Sequence, residues 1–183
     1  MSPLPLPRRR CDGFTLIELL VVVTVIGVVA AIAIPSLLRA RMVANEASAI
    51  GSLRAVNSAE ATFASTCAHG FYATTLDDLV VPPAGNTEAF LSVDLGRNGI
   101  AKSGYFFTVV KYASPGTIDQ SPVSTCNGAA SVPASAYFGS AVPITPGDSG
   151  RRYFASDVRG TIVQDTAAAV ANPIPSGAAP VQE

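Results

Sequence analysis

The sequence predicts an α+β protein, with one long N-terminal α-helix whose second half packs against an antiparallel sheet of about four strands. Three observations predict it. An uncharged run from Leu19 to Ile34 is followed by apolar positions at helical spacing. Four later runs, rich in aromatic and β-branched residues, are separated by Gly and Pro clusters. Two cysteines, Cys67 and Cys126, stand just past the helical pattern and just before the second of those runs.

The helix begins at the abrupt change to FTLIELLVVVTVIGVVAAIAIP, starting at Phe14. Residues 14–34, at about 1.5 Å each, span roughly 31 Å, close to a hydrocarbon core of about 30 Å. Pro35 has no amide hydrogen and clashes with the carbonyl one turn earlier, so it should kink the helix without ending it. From Val43 the apolar positions Ala47, Ile50, Leu53, Val56, Ala59 and Phe63 follow at gaps of three or four, which predicts one face packed and the other polar. A helix from Phe14 to about Ser65 would be on the order of 78 Å long. Gly51 weakens it only locally.

Beyond Cys67 the strand runs are YFFTVVKYA (105–113), SAYFGSAV (135–142), RRYFAS (151–156) and TIVQ (161–164). Asp157, Val158, Arg159 and Gly160 join the last two as a hairpin connection. FYATTLDDL (71–79) reads as a short turn or helix between the spine and the sheet. The tail NPIPSGAAPVQE (172–183) has three prolines and little to pack, so mobility is expected of it. The expected divisions are a basic leader (1–13), an apolar membrane-spanning helix (14–35), a globular domain that includes the rest of the helix (36–171), and a flexible tail (172–183).

Composition bounds the function. A chain of 183 residues with 49% hydrophobic and 14% charged residues can bury a core. Its net charge of -1 is no signature of a nucleic-acid binder, and loss of residues 1–13 would leave nine basic and twelve acidic side chains. Cys11 lies in the leader, so the two remaining cysteines, both on the side expected to lie outside the cytoplasm, read as a disulfide. Closing a loop of about 60 residues is worth roughly 4 kcal/mol in the chain-entropy account.

The N-terminus can be parsed in two ways. As a secretory signal, Arg8 to Arg10 form the basic region, 14–29 the apolar core, and Ala31-Ile32-Ala33 a small-x-small site releasing a soluble chain from Ile34. Alternatively the cut falls between Gly13 and Phe14 and the apolar run is kept. Glu18 favours the second parse. Its carboxylate would cost about 2.5–3.5 kcal/mol at a bilayer centre, less near an interface, and a new terminal amine at Phe14, cationic with a pKa of about 8, could neutralise it on a neighbouring copy.

The segment GFTLIE, Gly13 to Glu18, resembles the processing signature of type IV prepilins and of type II secretion pseudopilins, and the likeness continues through Gly27 to Pro35. The resemblance implies a pilin-like fold and cleavage by a membrane prepilin peptidase after Gly13. It also implies N-methylation of Phe14, a requirement for Glu18 in assembly, and a part for Pro35 in the assembly helix. It implies a structural subunit of a filament, with further copies of itself and the inner-membrane assembly machinery as partners. The precursor would cross the inner membrane once before joining a periplasmic or extracellular filament. The alternatives are a minor pilin that caps or decorates a fibre, a pseudopilin, or a secreted protein with a conventional signal.

No enzyme site is recognisable. His69 is the only histidine, and no serine sits in GxSxG; neither a P-loop nor GxGxxG occurs. No cofactor is implied. Asp77 and Asp78 read as a turn or helix cap in preference to metal ligands. Arg151 and Arg152 read as a solvated strand end in preference to a phosphate-binding patch. The calcium loop typical of the major pseudopilin has no evident counterpart here, which favours a pilin.

Overall fold

A computed structural model describes residues 13–182. Residues 1–12 of the expected leader, with Arg8, Arg9, Arg10 and Cys11, lie outside the described residues, as does Glu183. The chain divides into two compact units, Met1–Arg39 and Ala40–Glu183.

Helix α1, Leu16–Thr66, is one uninterrupted element that begins in the first unit and ends in the second. Within the first unit it is apolar and almost wholly exposed, and it is long and apolar enough to cross a membrane. Its many β-branched residues are mediocre helix formers in water. In lipid, by contrast, the helix is the conformation that satisfies every backbone group within the segment. Thr24 turns its hydroxyl back onto the carbonyls of Leu20 and Val21, at 3.1 and 2.8 Å. Pro35 lies inside α1 and does not end it.

The second unit is built on the rest of α1. A short helix α2, Leu76–Leu79, occupies the expected connection, and a 3₁₀ turn spans Val93–Leu95. Six antiparallel strands follow in chain order: β1 Ile100–Lys102, β2 Tyr105–Lys111, β3 Tyr137–Pro143, β4 Tyr153–Asp157, β5 Ile162–Asp165 and β6 Ala179–Pro180. Strands β2 to β5 fall on the four predicted runs, and β4 and β5 are joined through the predicted hairpin, with Gly160 at φ +72°. The sheet is wider than expected by its two short edges, β1 and β6.

Alternation along the strands gives the sheet two faces. Tyr105, Phe107 and Val109 of β2, Tyr137 and Ala141 of β3, and Phe154 of β4 point to α1 and form one core with it. Gly150 is required here, since a Cβ would run into the Tyr105 hydroxyl. The stripe that α1 contributes is rotated from the expected one. Val43 is 63% exposed and Ala47 is exposed, whereas Glu46, Ala49, Leu53, Val56, Glu60 and Phe63 are buried at gaps of three and four. Two carboxylates therefore occupy positions in an otherwise apolar seam.

The opposite face of the sheet is also partly covered. Phe138, Ala155 and Val163 pack under Ile174, with Tyr112, Val170 and Ala178 around them. The expected lack of packing in the tail is thus corrected: Ile174 is 7% exposed, and Asn172 joins the backbone of Ala113 and Lys111 at 2.8 and 3.0 Å. The Ile174 amide donates to the Tyr112 hydroxyl, and β6 extends the sheet. Its prolines remove amide donors but leave Ile174 and the Asn172 amide free to dock.

Candidate site for processing and assembly

The residues expected to carry processing and assembly lie at the start of α1. Gly13, Phe14 and Thr15 precede the helix in non-helical backbone, and Phe14 is 77% exposed. Glu18 sits in the first turn, exposed. Thr15, which the sequence reading passed over, occupies the N-cap: its hydroxyl accepts the Glu18 amide at 3.3 Å and donates to the Glu18 carboxylate at 3.4 Å. Thr-x-x-Glu is the spacing of a capping box, and it was present in the sequence as a signal. A carboxylate in the first turn also meets the positive end of the helix dipole. The single acid of the apolar segment is therefore held by the N-cap Thr15, one residue past Phe14. Pro35 lies in the same exposed segment, well past this end.

The Cys67–Cys126 disulfide is present, with Cα atoms 4.7 Å apart and a sequence separation of 59. Cys67 is buried just past the last turn of α1, and the Cys126 amide bonds the Cys67 carbonyl at 3.0 Å. The chain reverses immediately afterwards through His69 and Gly70, at φ +55° and +91°, with the Gly70 amide on the Ala64 carbonyl. His69, exposed in this turn, is a helix-ending residue.

The remaining polar candidates turn out to be ties within the second unit. Asp77 accepts the Asn98 amide at 3.2 Å. Asp78 is buried, with the Thr75 hydroxyl at 2.9 Å on one oxygen and the amides of Ala130 and Ser131 at 3.0 and 3.5 Å on the other. Arg152 is not the solvated strand end that was expected. Its Nε meets Glu46 at 2.8 Å, its Nη1 meets Gln164 at 2.8 Å, and its guanidinium lies 5.2 Å from the Phe154 ring centre. Glu46 further accepts the amides of Arg151 and Arg152. Buried polar groups need partners, and a carboxylate facing the turn before β4 supplies them. Arg151 keeps an exposed side chain.

Residues 8–34 match the family described as the prokaryotic N-terminal methylation motif. Among proteins of known role, the chain is 44% identical over 59 residues to the type IV major pilin protein PilA of Myxococcus xanthus, covering 32% of this chain and 26% of that protein. It is 55% identical over 38 residues to the type IV wide pilus major component PilA4 of Thermus thermophilus, covering 21% of this chain and 29% of that protein. The chain thus spans less than a third of the length of these relatives. No solved structure matches it. With that motif at residues 8–34 and an α+β fold behind it, the chain carries the prokaryotic N-terminal methylation motif and is similar, over its N-terminal part, to type IV major pilins.

Proposed function

We propose that this chain is a structural subunit of a type IV pilus or pilus-like filament, cut by prepilin peptidase between Gly13 and Phe14 and polymerised through its N-terminal helix. The observation that carries the reading is the pairing of the exposed apolar first part of α1 with one acid, Glu18, in its first turn. Such a surface is stable only in lipid or against other apolar helices. The subunit crosses the inner membrane once as a precursor, and the assembly machinery then moves it into a filament, where the helices bundle. The Phe14 amine of one copy, N-methylated, neutralises Glu18 of the next, removing the cost of a lone buried charge. The relatives named above, a major pilin and a major pilus component, support a pilus over a secretion filament.

A soluble product is disfavoured because α1 runs unbroken through Ala31-Ile32-Ala33, where a signal peptidase would need extended chain. Intact-mass and N-terminal analysis of the mature protein tests the proposal. A chain beginning at Phe14, one methyl heavier, is expected; a chain beginning at Ile34 would overturn both the filament reading and the role of Glu18.

A further inference from the structure

Glu46 and Glu60 are fourteen residues apart on α1, close to four helical turns, so they share the buried seam. Their surroundings differ in kind. Glu46 has the Arg152 guanidinium. Glu60 is 0% exposed, its Oε2 accepts only the Ala73 amide at 2.8 Å, and its Oε1 has no hydrogen-bond partner among the described residues.

The ionisable groups acting around Glu60 are acids and phenols. Asp78 of α2 presses its negative charge on Glu60, and its own oxygens are occupied by Thr75, Ala130 and Ser131. Tyr137 of β3 already donates its hydroxyl to Asn57 at 2.9 Å, and burial keeps that phenol protonated. Tyr72, on the chain entering α2, meets Tyr137 with ring centres 5.3 Å apart at a tilt of 48°. Among the described residues, no basic side chain contributes to the electrostatics of Glu60. Burial, far more than Asp78, holds the Glu60 carboxyl well above the usual carboxylate range, against the lowering effect of the Ala73 amide.

We propose that Glu60 is a pH-operated latch, which as a neutral acid holds the chain around Ala73 on α1 and on ionisation releases it. A charged Glu60 with one amide partner and no cation can be hydrated only if Ala73 separates from the helix. The opening is local. Cys67 is tied to Cys126 on one side of Ala73, and on the other Leu76 is fully buried with its amide held by Asn98 at 3.1 Å. Because the closed state binds the proton more tightly than the open state, the latch is strongest below the ordinary glutamate pKa near 4.5. It weakens about tenfold per pH unit up to the raised value and levels off above it.

The test uses the full chain in detergent micelles with carbon-13-labelled glutamate. The Glu60 carboxyl resonance should titrate well above pH 4.5. After correction for intrinsic chemistry, Ala73 amide exchange should quicken about tenfold per pH unit over the same interval and level off beyond it. Glu60→Gln should abolish that dependence. Asp78→Asn, which keeps an acceptor for Ala130 and Ser131, should move the Glu60 midpoint downward. A Glu60 midpoint near the ordinary value, or an unchanged pH dependence in Glu60→Gln, would overturn the latch. If the glutamine variant does not fold, the wild-type titration decides alone.

Discussion

Substituting Glu46 perturbs the tie between α1 and the turn preceding β4. Its carboxylate collects three charge-assisted hydrogen bonds, from the amides of Arg151 and Arg152 at 2.8 and 3.3 Å and from the Arg152 Nε at 2.8 Å, with the Glu46 side chain 9% and the Arg152 side chain 32% exposed. Breaking a fully buried pair costs about 3–5 kcal/mol. Because Arg152 is partly solvated and keeps Gln164 and the Phe154 ring, Glu46→Ala should cost less, about 2–3 kcal/mol. Glu46→Gln should cost about 1–2 kcal/mol, since its oxygen still accepts the two amides while its NH₂ meets a donor. In a double-mutant cycle with Arg152→Met the coupling should be about 1–2 kcal/mol. The assay is urea unfolding in detergent micelles, followed by near-ultraviolet circular dichroism of the tyrosines, the chain having no tryptophan. A loss under about 0.5 kcal/mol for Glu46→Ala, or strict additivity with Arg152→Met, would refute the tie, as expected of a surface pair.

Three further outcomes follow from the same structure. Replacing both Cys67 and Cys126 by serine should lower unfolding stability by roughly 4 kcal/mol, the value for a closed loop of this length, and the unreduced wild type should give no reaction with a thiol reagent at either position. Phe63→Ala, which empties a fully buried site edge-on to Phe90 at 5.4 Å, should cost about 3–5 kcal/mol in the same denaturation assay. Glu18→Val should leave cleavage intact by mass spectrometry and abolish or greatly reduce filaments in electron micrographs; normal filaments in that variant would contradict charge neutralisation by Phe14.

Much of this architecture was legible because its signals are local. Runs of Tyr, Phe, Val and Ile marked β2 to β5, and the two cysteines beyond the expected leader marked the disulfide. β1 and β6 carry too few residues to show alternation, and they exist because longer neighbours offer an edge to pair with. The α1 seam was misplaced for a different reason. Apolar periodicity passes over Glu46 and Glu60, whose burial depends on groups 105 and 13 residues away in sequence. The docking of Ile174 is likewise a tertiary fact, settled by the apolar outer face of β3 to β5. At the candidate site the first-turn acid was plain in GFTLIE, while the N-cap Thr15 was readable from its spacing and overlooked.

The two edges of the sheet bear on how copies of this protein can join. An open strand edge invites another chain to add a strand, and at high local concentration that route competes with any intended assembly. Here one edge is three residues long, and the other is two residues long and ends in Pro180, which has no amide to donate. Neither offers a template for strand exchange. In the proposed filament this leaves side-by-side helix contacts as the mode of association, and the same terminus that closes the sheet acts as its insulation against fibrils of the wrong kind.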